Sequence, residues 1–361
     1  MRSILMGAAA LALIAGAATA QDKVVHVYNW SDYIDEEILA EFEAETGIKV
    51  VYDVFDSNDI LETKLLAGSS GYDVVVPSGG FLQRQITAGV FQKLDKGKLT
   101  NIGNMWEPIS KRTELYDPGN EYSVNYMWGT TGIGYNVEAV KARLGVEVID
   151  SWSVIFDPAI LAKFADCGVH ILDAADEMIP AALNFLGHDP DSKDKALIEA
   201  AGALLESIRP HVASFNSSGY INALADGDAC LAVGWSGDVL QARDRAAEAN
   251  NGVTVEYAIP FEGALMWFDQ MAIPADAPHP ENALTFINYI MRADVMAKAS
   301  NYVYYANGNL ASQPMLAEDV IGDPAIYPTA ETVEHLYVVL PYGPGEQRLV
   351  TRLWTRIKTG S

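Results

Sequence analysis

The chain has 361 residues, enough for two domains with real cores at roughly 100–200 residues each. Half of it is hydrophobic and 20% is charged, which excludes a disordered chain, a collagen-like repeat and a disulfide-dense mini-fold. Lys and Arg number 24 against 48 Asp and Glu, a formal net charge of −24; with no basic patch to offset it, this surplus repels phosphate backbones and attracts cations, so no nucleic-acid partner is expected.

The first segment, Met1–Ala20, reads MRSILMGAAALALIAGAATA. One Arg, an apolar run and the A-x-A triplet Ala18-Thr19-Ala20 predict a signal peptide cleaved before Gln21. A membrane anchor would need a longer span than this. No Cys follows the run, which argues against a lipid anchor. The expectation is an exported, soluble mature chain.

Val24–Tyr28 reads as a buried strand, being rich in β-branched residues. A helix follows, with Asp35-Glu36-Glu37 in its first turn, an apolar stripe of Ile38, Leu39 and Phe42, and Gly47 to end it. Ile48–Tyr52 is a second strand. This βαβ unit predicts parallel strands. Helix Ile60–Ala67, turn Gly68–Gly71 and strand Asp73–Val76 repeat the pattern, ending at Pro77-Ser78-Gly79-Gly80. Further strands are expected at Val169–Leu172, Leu231–Val233, Val253–Ile259 and Leu265–Ile273. Helices are expected at Ile179–Leu186, Asp194–Ser207, Gly237–Ala249 and Pro280–Arg292. Turn signals at Gly129–Gly134 and Asn250–Gly252 mark candidate crossings between two α/β lobes.

Cys167 and Cys230 are the two cysteines of the chain. In an oxidising compartment they can pair, and two buried free thiols are the alternative. The six His are scattered without metal-ligand spacing, so no metal and no cofactor are expected.

One pattern recurs near strand ends: an aromatic closely followed by a carboxylate. It occurs as Trp30-x-Asp32, Trp235-x-x-Asp238 and Trp267-x-Asp269, and Leu172-Asp173 with Glu177 adds an acidic strand end. In an extended segment i and i+2 share a face, so Trp267 and Asp269 can address one object. Ligands of open α/β sheets bind beyond the strand ends. Ring faces attract cations and carboxylates pair with them, which makes a box for an organic ammonium. A single such motif is more often a core Trp beside a solvated Asp, and sugar sites also use Trp and carboxylates. Three together on an acidic chain favour a ligand site. Enzyme motifs are largely absent: Gly234-Trp235-Ser236-Gly237-Asp238 lacks the last glycine of a nucleophile elbow. A glycan-active exported hydrolase using two carboxylates remains the alternative from another class.

The stretches Tyr28-Asn29-Trp30-Ser31-Asp32-Tyr33-Ile34, Val74–Ser78, Thr130-Thr131-Gly132-Ile133-Gly134-Tyr135-Asn136, Gly234–Val239 and Tyr304-Tyr305-Ala306-Asn307 together resemble the periplasmic polyamine-binding proteins of ABC importers, of the putrescine/spermidine type. The resemblance implies a non-catalytic α/β protein with two lobes that close on a ligand in the cleft between them. The implied lobes are 21–131 plus about 253–308, and 132–252 plus about 309–361. It implies a pocket of Trp30, Trp235, Trp267 and Tyr305. Ser31, Asp32 and Asp238 would serve one ammonium end beside Tyr33, with Ser78 contributing a hydroxyl. Asp269 would pair with an amine deeper in the site, and Glu177 would hold the far end. It further implies a Cys167–Cys230 disulfide, a polyamine ligand, an importer permease as partner and a monomeric state. Ser31, Asp32, Ala174 and Asp238 look like the putrescine-preferring branch. Trp267 looks like the spermidine-preferring one, and Gly80 and Val339 match neither.

Overall fold

The computed structural model describes residues 23–360. The expected signal segment and its cleavage point lie outside the described residues. Ten strands are present among the described residues: β1 (Val24–Trp30), β2 (Lys49–Phe55), β3 (Val74–Val75), β4 (Ser123–Asn136), β5 (Val169–Ile171), β6 (Ser214–Phe215), β7 (Leu231–Trp235), β8 (Val255–Ala258), β9 (Met266–Ala272) and β10 (Ala306–Asn307). They form one mixed sheet in the order β2-β1-β3-β9-β4-β7-β5-β6, with β8 and β10 pairing with β4 off that path. Helices cover the sheet, so the protein is α/β. No helix among the described residues is long and apolar enough to cross a membrane.

The opening βαβ unit forms as its pattern predicts. β1 pairs in parallel with β2, from Val24 opposite Lys49 to Trp30 opposite Phe55, and with β3. Between them runs helix Glu36–Thr46. Asp35 caps its start by accepting from the Glu37 amide, and Gly47 at φ 67° ends it in the left-handed region. Ile38 and Phe42 bury its inner face completely. The C-terminal ends of β1 and β3 therefore deliver Trp30 and Ser78 to one edge of the sheet.

The expected crossing at Gly129–Gly134 is not a turn. It lies inside β4, a continuous 14-residue strand. Glycine-rich sequence reads as punctuation, but here the missing side chains make room for neighbours. A Cβ on Gly129 would lie 2.7 Å from the Trp267 ring, and one on Gly132 would lie 2.4 Å from the Ala258 carbonyl oxygen. The first half of β4 pairs with β9 and β10, and the second half pairs with β7 and β8. The chain passes from one core to the other along this strand.

Two large cores result. One contains Val25, Phe42, Leu61, Val74, Met127, Ala272 and Ile287. The other contains Ile133, Trp152, Ile171, Leu205, Leu231, Val255 and Leu353. A smaller cluster of Trp128, Leu240, Met266, Phe268, Leu316 and Val320 joins elements of both halves. Val255 and Ala258 pack in the second core, so β8 belongs there although a crossing was expected at 250–252. Helix Ala175–Phe185 begins four residues before the expected start at Ile179, with Pro180 inside it. Its first-turn amides have no intrahelical partner in any case, which lets the helix open with Ala175, Asp176 and Glu177.

Cys167 and Cys230 form a disulfide with Cα atoms 5.6 Å apart. It ties the residues entering β5 and β7, and the free-thiol alternative is excluded. Closing a loop of this length is worth about 4 kcal/mol in the chain-entropy model.

Candidate ligand-binding site

Trp30, Ser31, Tyr33, Ser78, Glu177, Trp235, Asp238, Trp267, Asp269 and Tyr305 line one slot, which encloses about 400 Å³ including its mouth. The side chains come from both cores. Trp30 ends β1, Ser78 follows β3, and Trp267 and Asp269 sit two apart on β9, so both reach the slot. Trp235 ends β7, Asp238 lies in the first turn of helix Ser236–Ala249, and Glu177 lies in the first turn of helix Ala175–Phe185.

The rings form a frame. Trp30 meets Trp235 edge-on at 5.4 Å, and its Nε1 donates to the Val76 carbonyl at 2.9 Å. Tyr305 stands edge-on to Tyr33 at 5.1 Å and to Trp267 at 5.3 Å. The buried Nε1 of Trp267 has no hydrogen-bond partner among the described residues.

Three carboxylates point into this frame, each held by neutral donors. Asp269 accepts from Tyr33 Oη at 2.8 Å and from Ser78 Oγ at 2.6 Å. Asn58 in turn donates to Ser78 Oγ at 3.0 Å. Asp238 accepts from Tyr305 Oη at 2.6 Å and Tyr220 Oη at 2.8 Å. Glu177 accepts from the Thr131 hydroxyl and from Trp235 Nε1 at 3.1 Å. Among the described residues none of the three forms an ion pair with Lys, Arg or His.

The electrostatic consequence is a set of acids that resist ionisation. Burial pushes the Asp269 carboxyl up to about 7, against the lowering by its Ser78 and Tyr33 hydrogen bonds, and the charge of Asp238 adds to the rise. Burial raises Asp238 to about 6 although two phenols donate to it. Glu177 is raised too, first by burial and then by the adjacent Asp176. A cation placed among them would favour the ionised forms.

Asp32 is the exception among the expected site residues. It does not line the slot; its carboxylate accepts from Arg245 Nη2 at 2.7 Å and is partly exposed. Its φ of 52° explains this: the backbone turns left-handed directly after Ser31, carrying the side chain out toward helix Ser236–Ala249. Tyr220, Thr131 and Asn58 hydrogen-bond lining residues from outside the slot and were not among the expected site residues. Thr131 lies within one of the motifs already noted, while Tyr220 and Asn58 carry no sequence signal. The slot acids lack metal-ligand spacing, which among the described residues occurs only at His26, Asp73 and His279.

The sequence profile described as "Bacterial extracellular solute-binding protein" matches residues 37–329. The putrescine-binding periplasmic protein SpuD of Pseudomonas aeruginosa is 51% identical over 349 residues, covering 96% of this chain and 95% of its own. The putrescine-binding periplasmic protein PotF of Escherichia coli is 49% identical over 358 residues, covering 99% and 97%. Among solved structures, the spermidine/putrescine ABC transporter substrate-binding protein PotD from Streptococcus pneumoniae superposes with a TM-score of 0.75. It is 29% identical and covers 93% of this chain and 98% of its own.

Proposed function

The chain belongs to the bacterial extracellular solute-binding protein family, and on that premise we propose that it captures putrescine, spermidine or a similar polyamine and delivers it to the permease of an ABC importer. The observation that carries this reading is the grouping of Asp238, Asp269 and Glu177 with five aromatic rings in one slot. A slim alkyl chain lies between the rings while its ammonium ends meet the acids. Each ammonium donates to a carboxylate already oriented by phenol or hydroxyl groups, so little reorganisation is needed on binding. Glu177 and Asp238, from one core, face Asp269, from the other, and the ligand bridges them.

Two lobes follow the two cores: 21–131 with β9, the helices at 280–303 and β10, and 132–258 with the C-terminal helix Pro344–Thr359. The ligand touches both sides only when they close. The mature chain starts at Gln21, works as a periplasmic monomer and performs no chemistry on its ligand. No His lines the slot, and Ser236, the near-elbow serine, is buried with its Oγ facing the Thr130 amide. A neutral glycan offers no cation to favour the ionised forms of the three carboxyls, whereas a polyamine does.

A thermal-shift screen of polyamines against oligosaccharides tests this. Ligand at 100 times its dissociation constant adds about 2.7 kcal/mol, so polyamines are expected to raise the melting temperature and sugars to leave it unchanged. The reverse pattern would overturn the reading.

A further inference from the structure

We propose that His26, Asp73 and His279 form a binding site for a divalent transition-metal ion, with zinc as the probe, separate from the ligand slot. His26 lies on β1, Asp73 immediately precedes β3, and His279 immediately precedes helix Pro280–Ile290. One donor atom from each lies within 4.8 Å of the others. The two imidazoles stack at 5.9 Å with their planes 15° apart.

Asp73 is wholly buried, with no Lys or Arg paired to it among the described residues. Its carboxylate is fixed by the backbone N–H groups of His26 at 2.8 Å and His279 at 2.6 Å. Each carboxylate oxygen has two acceptor positions, so these bonds leave capacity for a cation. Nδ1 of His279 approaches Oδ2 at 3.1 Å. Among the described residues the His26 imidazole has no hydrogen-bond partner, so its lone pair is uncommitted. The His279 side chain is partly exposed, which provides an entry path.

Two imidazoles and one carboxylate are a mixed nitrogen–oxygen set, suited to zinc rather than to calcium or magnesium, which prefer oxygen alone. Bonds of about 2.0–2.2 Å require the donors to draw together by roughly an ångström, and with the Asp73 carboxylate held by backbone N–H groups this movement falls to the two imidazoles. The ion would join β1, the entry to β3 and the start of helix Pro280–Ile290. The site is independent of the slot, because Trp30 lies four residues further along β1, about 13 Å at 3.3 Å per residue.

Calorimetry with Zn²⁺ on the untagged, chelator-stripped mature chain tests the proposal, with Co²⁺ absorption as a spectroscopic readout. The expected result is one ion per chain, a zinc-dependent rise in melting temperature that EDTA reverses, and a ligand-field band with Co²⁺. His279→Asn places a residue favoured at helix N-caps before Pro280 and is expected to weaken zinc binding at least tenfold while leaving putrescine binding unchanged. His26→Gln is expected to do the same. Absence of saturable one-to-one binding in the parent, or parent-like zinc affinity in His279→Asn, would overturn the site and leave these residues as a hydrogen-bonded brace.

Discussion

At the residue scale, the proposed site is expected to select by charge rather than by apolar fit. Asp269→Asn keeps the shape and the Tyr33 and Ser78 neighbours but removes the charge. It is expected to weaken putrescine and spermidine by at least about tenfold, equivalent to 1.4 kcal/mol, as read by calorimetry. Parent-like affinity would mean that Asp269 does not meet an ammonium. The raised Asp238 and Asp269 carboxyls add a pH dependence. Polyamine amines stay protonated far above neutrality, as a Lys amine with a value near 10.4 does, so over pH 5–8 the titrating groups that line the slot are its acids. On the proposed reading, a bound ammonium favours the ionised forms of Asp238, raised to about 6, of Asp269, raised to about 7, and of Glu177, raised by burial and by Asp176. Affinity is therefore expected to rise from pH 5 to 8, with protons released on binding near pH 6–7. Calorimetry in buffers of different ionisation enthalpy reads this directly, and buffer-independent heats would contradict it. The ligand-free fold has the complementary dependence. An acid whose folded value exceeds its unfolded value stabilises most below the unfolded value, near 4, and that contribution is lost as pH rises through about 7.

At the element scale, β4 is the strand on which the architecture turns. Its glycines are packing positions. A Cβ on Gly132 would press on the Ala258 carbonyl at 2.4 Å and on Tyr257 Oη at 2.5 Å, and the first of these is backbone that a side-chain rotation cannot clear. Gly132→Ala is expected to destabilise the protein by about 1–3 kcal/mol, the usual range for overpacking, measured as a shift in denaturation midpoint at unchanged slope. An unchanged midpoint would show that β8 yields easily. The same strand places Thr131 opposite Trp235 in register, which brings the Thr131 hydroxyl to Glu177.

At the scale of the whole molecule, the slot takes its lining from both cores, so on the proposed reading ligand contacts on the two sides are expected to be complete only when the halves close. A ligand shifts the population toward the state in which it makes more contacts. Small-angle scattering is expected to show a smaller radius of gyration with saturating putrescine or spermidine. Identical curves would argue for a rigid site. Intact-mass analysis of the periplasmic protein is expected to give a chain that begins at Gln21 and is two hydrogens lighter than its dithiol form.

The strand–helix–strand opening, the α/β class and the aromatic–acid motifs were legible in the sequence. They rest on local chemistry: β-branched runs, the Asp35 cap, the Gly47 stop and the two-residue spacing of Trp267 and Asp269 on a strand. Tertiary structure alone decided the rest, because those outcomes depend on neighbours distant in the chain. Gly129–Gly134 became strand because Trp267, Tyr257 and the Ala258 carbonyl occupy the space that side chains would need. Asp32 left the slot because a left-handed backbone and Arg245 drew it outward. Tyr220 and Thr131 entered the site as donors because burial leaves Asp238 and Glu177 in need of hydrogen bonds, and only the folded chain determines which hydroxyls are within reach.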